Sequence, residues 1–284
     1  MTGSIVHCLA PAKLNLFLHV TGRRADGYHL LQTAFQLIDR CDGLDIARRD
    51  DAIIRRTNEV AGVAEQDDLI VRAARLLQRH TGSHLGADLT LHKLLPMGGG
   101  LGGGSSDAAS TLIALNHLWQ CGLTRQQLMA LGLQLGADVP FFLFGRNAFA
   151  EGVGEQLQEI STADCWYVVI EPGVQVPTPA IFSAKELTRN TKRVKITDFS
   201  SAVKKNWKND LQTVACSLYP QVNEAVTWLK KFGDARMTGS GACVFCDFFD
   251  EDSANEVVKQ IPGHWKAWKA KALKQHPMIH LMQT

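Results

Sequence analysis

The sequence predicts an α+β protein made of two domains. Its 284 residues are many for one hydrophobic core, and chains of this size usually divide into domains. Strand-like and helix-like segments follow one another in a way that favours mixed sheets packed against helices. A new strand begins near residue 165, so we predict a first domain at 1–157 and a second at 158–284.

The individual elements follow from the spacing of the apolar side chains. Strands are predicted where β-branched and aromatic residues alternate or run together: 5–20 with a bend at Pro11, short strands within 42–60, 87–95, 165–178 and 242–249. Helices are predicted where apolar residues recur at helical spacing: 26–39, 67–82, 105–119, 124–136, 220–232 and 253–260. Residues 137–145 are expected to turn at Pro140 into a very apolar segment.

Polar residues and glycines mark several predicted helix ends. Gly82 is expected to stop the helix that begins near residue 67. The pair Thr124 and Gln127 forms a capping box at the start of another helix. Ser105 or Ser106 is expected to cap the helix that follows a run of glycines, with Asp107 in its first turn.

Composition limits the classes of function. Hydrophobic residues make up 45% of the chain and charged residues 20%, and the formal net charge is +2. This near-neutral balance gives no general electrostatic reason to expect a nucleic acid or a membrane as partner. No apolar run reaches the ~18–20 residues of a membrane span, and the first residues lack the pattern of an export signal. We therefore expect a cytoplasmic protein.

The cysteines predict no metal centre. The chain has seven of them, scattered and odd in number, which fits reduced thiols in the cytoplasm. Cys243 and Cys246 form a lone CxxC pair, but they lie in an apolar strand-like stretch without a second ligand pair. We interpret them as two buried thiols rather than zinc ligands, and no metal-ligating residue is predicted.

One segment is basic and admits two interpretations. Residues 189–208 contain seven lysines and arginines, and Trp265 and Trp268 lie among the lysines of the C-terminal stretch. Aromatic side chains among basic ones can bind single-stranded nucleic acid. The near-neutral net charge favours a solvated surface instead.

The stretch from Pro96 to Asp107, "PMGGGLGGGSSD", contains six glycines and two serines. It lies between a predicted strand and a predicted helix, where a flexible linker is not expected. Glycines allow backbone amides to point into a shared concavity, and the helix N-terminus adds partial positive charge. The stretch therefore predicts an anion site, most naturally for phosphate.

Known phosphate loops differ from this one. A dinucleotide fingerprint requires an acidic residue about 20 positions later, but no Asp or Glu occurs between Asp107 and Asp138. A Walker loop requires a lysine before its serine or threonine, and here Gly104 precedes Ser105. The catalytic motif of protein kinases is missing as well. The sequence thus predicts a nucleotide phosphate loop of another kind.

Two charged residues lie in otherwise apolar surroundings. Lys13 interrupts an apolar strand, as a surface residue with a buried stem or as a cation pointed into a site. Asp138 precedes Pro140, and from the residues alone a turn-capping role is the favoured account of it. A carboxylate close to a lysine and a phosphate loop also suits a base that accepts a proton from an attacking hydroxyl.

Three separated motifs resemble the signature motifs of the GHMP kinase superfamily, the galactose, homoserine, mevalonate and phosphomevalonate kinases. They are "PAKLNLFLHVTGRRADGYHLLQTAFQ", "LPMGGGLGGGSSDAA" and "MTGSGACVF". Finer features, "DGYHLLQT", "LGADVPFFLFG", "AFAEGVGE" and "VPTPAIF", are similar to the branch that phosphorylates a cytidine diphosphate-linked methylerythritol. The resemblance covers nearly the whole chain in order and is weakest at 189–210 and 262–284.

The resemblance implies a two-domain GHMP kinase fold and a reaction. It implies an N-terminal domain like ribosomal protein S5 domain 2, a ferredoxin-like C-terminal domain, and an active site in the cleft between them. It further implies transfer of the γ-phosphoryl group of ATP to the 2-hydroxyl of the cytidine substrate, on the non-mevalonate route to isoprenoid precursors. ATP and Mg²⁺ are the implied cofactors, and the implied partner is a small molecule, with no nucleic acid, no membrane, and a monomer or weak homodimer.

The resemblance also implies the residues of the phosphoryl-transfer end. Lys13 and Asp138 match the catalytic pair: Asp138 would accept or orient the hydroxyl proton, and Lys13 would keep the carboxylate ionised and offset charge on the phosphoryl group. Positions near the adenine match Asp68, Leu69 and Lys93. The ATP phosphates would contact a contiguous loop, with either serine close to Mg²⁺: Pro96, Met97, Gly98, Gly99, Gly100, Leu101, Gly102, Gly103, Gly104, Ser105 and Ser106.

Five further residues match the acceptor site by resemblance. Tyr28 and Phe182 correspond to the aromatics that sandwich cytosine, and His29 to the residue that recognises the edge of the base. Asn15 and Thr178 match positions that line the acceptor pocket. A pyrimidine requires stacking faces and a few placed hydrogen bonds. From the residues alone, core packing would account for the two rings, and an exposed or internally bonded imidazole for His29.

The residues leave two alternative functions and two local questions open. The chain could be another GHMP kinase, such as a mevalonate-type or sugar kinase, or a nucleic-acid-binding module without catalysis. Asn147 departs from the small residue expected in "GRNAFAEG", and it touches no assigned role. The turn containing Gly239 and Gly241 either supports the cleft or is a simple hairpin turn.

Overall fold

The structure is a computed structural model that describes residues 5–196 and 207–282. Its strands are β1 Ile5–Arg23, β2 His29–Arg49, β3 Ile54–Arg56, β4 Gly86–His92, β5 Ala148–Glu151, β6 Gln156–Glu159, β7 Trp166–Glu171, β8 Arg236–Met237, β9 Val244–Phe248 and β10 Lys266–Leu273. Its α-helices are α1 Leu69–Thr81, α2 Gly103–Leu118, α3 Arg125–Leu133, α4 Val139–Phe144, α5 Thr178–Ser183, α6 Asp210–Leu218, α7 Pro220–Leu229 and α8 Glu251–Lys259. The observed mixture of sheets and helices confirms the predicted α+β class.

The first half of the chain is organised around the hairpin of β1 and β2. These long strands pair antiparallel from Ile5 opposite Ala47 to Arg23 opposite His29. Strand β2 also pairs antiparallel with β4 and with β5, β5 pairs with β6, and β3 lies parallel to β4. Helices α1 to α4 share a large apolar core with this sheet.

The predicted helix at 26–39 is wrong, because most of this stretch belongs to β2. Its residues from Gln32 to Ile38 are all buried, so both faces of the strand are covered. Apolar side chains then occur on both faces, and a strand of this kind cannot be distinguished from a helix by periodicity. Pairing with β1 and with the distant β5 decides the conformation.

The second sheet continues from the first through β10. Strand β10 pairs with β7, β7 with β9 and β9 with β8, all antiparallel. At its other end, Ala272 and Leu273 of β10 pair with Ile38 and Leu37 of β2. A second apolar core joins this sheet to helices α6, α7 and α8.

The C-terminal residues return to the first half. Met278, Ile279 and Met282 belong to the core of the first sheet, and His276 donates its backbone N–H to the carbonyl of Gly145. Strand β6 ends at Glu159, close to the boundary we predicted at 157, and that boundary stays a proposal.

Asn147 joins several of these segments. Its Oδ1 accepts from the backbone N–H of Leu37 at 2.9 Å, and its Nδ2 donates to the carbonyl of Leu273 at 2.8 Å and to Thr162 Oγ1 at 2.9 Å. A small residue could make none of these bonds. The departure from the expected pattern therefore has a structural use, at the junction of β2 with β10.

The caps confirm two predictions and correct a third. Helix α1 ends at Gly82, which adopts φ 67°, and α3 begins with the Thr124–Gln127 capping box. The cap predicted for α2 is wrong: this helix begins two residues earlier, at Gly103, and Gly102 occupies the N-cap with φ 73° and no side-chain cap. Ser105 and Ser106 therefore lie inside its first turn.

Two further points concern the helices. Residues 137–145 were expected to turn into an apolar segment, and the apolar part is the short helix α4 with Pro140 in its first turn. Among the residues that the structure describes, no helix has the length and apolar character to cross a membrane.

Candidate active site

Nearly all the predicted site residues line one cavity of about 1130 Å³. It is bounded by β1, by the start of β2, by the glycine-rich loop before α2, by Asp138, and by the segments around α5 and residues 239–241. Predicted residues that line it are Lys13, Asn15, Tyr28, His29, Asp68, Leu69, Lys93, Pro96, Met97, Gly98, Gly99, Gly100, Leu101, Gly102, Gly103, Gly104, Ser105, Asp138, Thr178 and Phe182. Ser106 is the exception, because it is fully buried beneath the loop and does not line the cavity.

The loop gains its shape from positive φ angles at alternate glycines. Gly98, Gly100 and Gly102 adopt φ 70°, 75° and 73°, a region that other residues rarely occupy. Space adds a second restriction, since a Cβ at Gly100 would lie 2.1 Å from the carbonyl oxygen of Thr238. This position requires glycine on both grounds.

The start of α2 leaves backbone amides free to bind an anion. The first intrahelical bond is donated by Ser106 to the carbonyl of Gly102 at 2.9 Å, and no side chain caps this end. The amides of residues 103–105 consequently have no acceptor within the helix. Together with the helix dipole, they form a site suited to a phosphate group.

The second half of the chain holds the loop directly. Ala242 and Cys243 donate their backbone N–H groups to the carbonyls of Gly98 and Gly99, at 3.3 and 3.1 Å. Thr238 Oγ1 lies 3.3 Å from the carbonyl of Gly100. The turn at 238–241 is therefore part of the cavity wall and not an isolated hairpin turn.

Lys13 and Asp138 lie together beside the loop. The Lys13 Nζ donates to the carbonyl of Gly100 at 2.9 Å and to Asn15 Oδ1, and it lies 3.7 Å from Asp138 Oδ2. Lys13 is 2% exposed, and burial lowers its pKa while the Asp138 carboxylate opposes that change. The Asp138 side chain is 37% exposed and lines the cavity. The pair thus combines a fixed buried cation with an accessible carboxylate.

Lys93 belongs to a buried charge cluster below the start of α2. Its Nζ donates to Asp42 Oδ2 at 2.5 Å and to Asp107 Oδ2 at 2.8 Å. Asp42 Oδ1 also accepts the backbone N–H groups that follow Lys93. Burial raises the pKa of Asp107 to about 7, with the Lys93 charge opposing and the Asp42 carboxylate adding to the change. The single positive charge of Lys93 therefore interacts with two carboxylates, those of Asp42 and Asp107, at the wall of the cavity.

Asp68 has partners of its own. It forms an ion pair with Arg56 at 2.6 Å, and its Oδ1 caps α1 by accepting from the N–H of Ile70. Its neighbour Leu69 is half-buried and lines the same wall. These contacts fix the orientation of the Asp68 carboxylate.

The opposite end of the cavity is lined by three rings, of which Tyr28 is exposed and His29 and Phe182 are half-buried. Tyr28 is 66% exposed. The imidazole of His29 packs on the ring of Phe182, with centroids 5.0 Å apart and an interplanar angle of 33°. Thr178 Oγ1 lies 2.6 Å from Ser240 Oγ. Flat faces and a few polar atoms are what a heteroaromatic ligand requires.

Asn15 connects Lys13 with Thr33 and Thr238. Its backbone N–H donates to Thr238 Oγ1 at 3.0 Å and its Nδ2 to Thr33 Oγ1 at 2.9 Å. Its Oδ1 accepts from Lys13. The side chain is buried, so its main contribution is to hold the lysine.

Sequence reasoning missed three residues that shape the cavity. Thr238 lies within the motif at 237–245, whose threonine received no role of its own. Arg189, which contacts His29, was counted with a basic segment interpreted as solvated surface. The sequence around Asp42 contains no pattern that indicates a role, because its partner Lys93 is 51 positions away in the chain. Residues 197–206 of the basic segment lie outside the described residues.

Comparisons with known proteins agree with this geometry. Residues 68–146 match the family model of the GHMP kinases N terminal domain, and residues 187–267 match that of the GHMP kinases C terminal. The chain is 65% identical over 289 residues to a 4-diphosphocytidyl-2-C-methyl-D-erythritol kinase of Janthinobacterium sp. (strain Marseille), covering 100% of both. It is 64% identical over 284 residues to the like-named kinase of Herminiimonas arsenicoxydans, covering 99% of both.

Solved structures give the same result. A crystal structure of a 4-(cytidine 5'-diphospho)-2C-methyl-D-erythritol kinase superposes with a TM-score of 0.82 at 33% identity, over 94% of this chain and 99% of that one. A mevalonate kinase superposes with a TM-score of 0.69 at 15% identity, over 96% of this chain and 100% of that one. At that identity the second comparison concerns the fold alone.

Proposed function

This chain belongs to the GHMP kinases, in the family of the 4-diphosphocytidyl-2-C-methyl-D-erythritol kinases, and we propose how its cavity performs that reaction. The reaction is transfer of the γ-phosphoryl group of ATP to the 2-hydroxyl of 4-diphosphocytidyl-2-C-methyl-D-erythritol, a step in isoprenoid precursor synthesis. One observation supports the proposal most strongly. A single cavity has an uncapped helix start and the Lys13–Asp138 pair at one end, and the His29–Phe182 ring pair at the other.

We propose that the triphosphate of ATP binds along the glycine-rich loop. The loop residues from Pro96 to Ser105 line the cavity, and the free amides at the start of α2 are donors for phosphate oxygens. Lys93, Asp68 and Leu69 line the adjoining wall, where the adenine would lie. Ser106 is excluded from direct contact because it is buried.

Asp138 is the proposed base or orienting group for the acceptor hydroxyl. Its carboxylate is accessible from the cavity, and the Lys13 ammonium lies 3.7 Å from it. Lys13 is held by Gly100 and Asn15, so its charge is in place before substrate binds. Such preorganised charge stabilises phosphoryl transfer without a covalent intermediate.

Mg²⁺ is proposed as the cofactor that accompanies ATP. This ion prefers oxygen ligands and is usually held by one or two protein side chains together with phosphates and water. The Asp138 carboxylate and the hydroxyl-bearing Ser105 both line the cavity and fit that donor set. When bound, the ion would offset negative charge on the phosphates.

The acceptor is proposed to bind at the ring-lined end. Tyr28 and Phe182 would stack on the cytosine, His29 would form a hydrogen bond with the edge of the base, and Thr178 lines the adjoining wall. Asn15 would act mainly through Lys13. We further propose that the protein acts in the cytoplasm as a monomer or weak homodimer, with small molecules and no nucleic acid as partners.

A coupled assay of ADP release tests the proposal. Purified protein with ATP and Mg²⁺ should release ADP rapidly when the cytidine substrate is added and only slowly without it. Turnover of mevalonate or homoserine, with none of the cytidine substrate, would contradict the assignment in favour of another GHMP kinase. Salt-sensitive RNA binding without acceptor-dependent ATP turnover would support a nucleic-acid-binding module instead.

A further inference from the structure

Arg189 is clamped between the backbone and the imidazole of His29. Its Nη1 donates to the carbonyl of Leu187 at 3.1 Å, and its Nη2 to the carbonyls of Phe182 and Ala184 at 3.0 and 2.7 Å. Its Nε donates to His29 Nε2 at 3.1 Å. The guanidinium therefore donates to four acceptors. Three of them are backbone carbonyls in or just after α5, and the fourth is the imidazole of His29.

This contact determines which nitrogen of His29 carries hydrogen. An arginine in a protein remains protonated, so its Nε–H is always a donor. A donor facing His29 Nε2 requires a lone pair there, and the neutral imidazole must then carry its hydrogen on Nδ1. The opposite tautomer, or the imidazolium, would place two N–H groups against each other.

The Nδ1–H group is the part of His29 left for a ligand. His29 lines the cavity, and within residues 5–196 and 207–282 its imidazole forms no hydrogen bond except the one with Arg189. Its ring face is covered by Phe182. A ligand that stacks near this pair meets a hydrogen-bond donor at the imidazole and not an acceptor.

We propose that Arg189 is a positioning residue that fixes His29 as a donor through Nδ1, and that it thereby selects a base with an acceptor at ring position 3. This inference rests on the proposed function, in which His29 contacts the base of the acceptor. Cytosine has a lone pair on N3, whereas uracil has an N–H at the same position. The Arg189–His29 pair therefore favours cytidine over uridine.

The surrounding charges keep His29 neutral. Burial lowers its pKa, and the positive charges of Arg189 and of Arg23 on β1 lower it further. The other ionisable groups of this wall are Asp26 and Tyr28, in the turn before β2. Arg23 bonds to the carbonyl of Gly27 and not to the imidazole, so it contributes charge without a constraint on the tautomer.

A direct test is nitrogen NMR of the histidine rings in the protein without substrates. The ¹⁵N shifts distinguish a ring protonated on Nδ1 from one protonated on Nε2, and the His29→Ala variant identifies the signals of His29. The wild-type ring is expected to be protonated on Nδ1 alone. In Arg189→Ala the signals should move to those of a tautomer mixture. Arg23→Ala is the matched control, since it removes a charge but should leave the tautomer unchanged.

Kinetics tests the consequence for specificity. The measured quantity is the ratio of kcat/KM for the cytidine substrate to that for its uridine analogue. Loss of a neutral hydrogen bond corresponds to a factor of about 10, so the ratio should fall about tenfold in Arg189→Ala. Arg189→Lys should show a smaller fall, because one ammonium cannot bond the three carbonyls and the ring together.

A double-mutant cycle separates this role from mere support of α5. If Arg189 acts through His29, then Arg189→Ala should not change the ratio further in a His29→Ala protein. A wild-type ring protonated on Nε2, or an unchanged ratio in both Arg189 variants, would overturn the proposal. Because the NMR experiment needs no substrate, a failure of the proposed kinase activity would be recognised separately.

Discussion

The two ends of the cavity are built in different ways. At the phosphate end the groups are backbone amides and a lysine that is 2% exposed, and bonds from both halves of the chain hold them. At the acceptor end the groups are side-chain rings, and Tyr28 is 66% exposed. The first end is complete in the free protein. The second presents surfaces that a ligand must cover.

The two ends are therefore expected to contribute to catalysis in different ways. Preorganised charge lowers the barrier because nothing has to reorient during the reaction. The rings of the acceptor end contribute to binding, which acts on ground state and transition state alike. Changes at the phosphate end should therefore reduce kcat, and changes at the acceptor end should raise KM.

The largest effect is expected for Asp138→Asn. The amide has nearly the same shape but cannot accept the hydroxyl proton, so kcat should fall by about 10²–10⁴. ATP binding should change little, because the loop and the start of α2 remain. Single-turnover rates and nucleotide titration measure the two quantities. A kcat within a few-fold of the wild type would remove Asp138 from the chemistry.

The glycines of the two ends form a second pair of tests. Gly100→Ala places a Cβ 2.1 Å from the Thr238 carbonyl at a positive φ, so it should lower the free energy of unfolding by about 3 kcal/mol or more. Gly27, in the turn beside His29, also has a positive φ, but its nearest neighbour is an Arg23 side-chain atom at 3.6 Å.

Gly27→Ala should therefore lower the free energy of unfolding by only about 1 kcal/mol, because only the left-handed conformation is penalised. Urea unfolding of the two variants measures the difference. Equal losses at the two positions would contradict the view that the phosphate end is the tightly packed one.

How much could be predicted from the sequence differs between the same two ends. The glycine loop and Lys13 lie in contiguous motifs, and their chemistry follows from residue type and order. The pairing of Lys13 with Asp138, 125 positions apart, came from the family resemblance, and the structure brings the two side chains together.

The remainder depended on contacts that no local pattern contains. The stretch at 26–39 has helical spacing, but β1 and β5 cover it on both sides as a strand. Ser105 and Ser106 look like caps, but Gly102 can adopt the positive φ that starts the helix earlier. The basic surroundings of Arg189 predict a surface charge, but its side chain donates a hydrogen bond to His29, 160 positions away in the sequence.

At the acceptor end, His29→Ala should act mainly on KM. The variant loses a hydrogen bond to the base and the ring packed on Phe182, so KM for the cytidine substrate should rise about 10- to 100-fold. The kcat at saturating substrate should stay within a few-fold of the wild type, because Lys13 and Asp138 are unaffected. Steady-state kinetics with saturating ATP separates the two parameters. A variant that lost kcat and kept KM would show that the two ends are not independent.

The smallest effect concerns a histidine that lies behind the catalytic end. His276 is buried beside the end of α4, the helix that follows Asp138, and it accepts the N–H of Met278 on its Nδ1. Burial lowers its pKa from 6.5 to about 3. Below pH 6.5 the unfolded chain therefore binds a proton that the folded chain rejects, and stability falls as the pH falls from there towards 3.

For one such group, the loss of unfolding free energy between about pH 8 and about pH 5.5 is about 1.4 kcal/mol. His276→Asn should remove this loss, since an asparagine side chain can accept the N–H of Met278 and does not titrate. The control is His280→Asn in the same segment, where the side chain is exposed and meets water whether the chain is folded or not. Urea unfolding at the two pH values measures all three proteins. An acid sensitivity that persists in His276→Asn would place its origin elsewhere, and the acceptor end, with His29 close to two arginines, would be the next region to test.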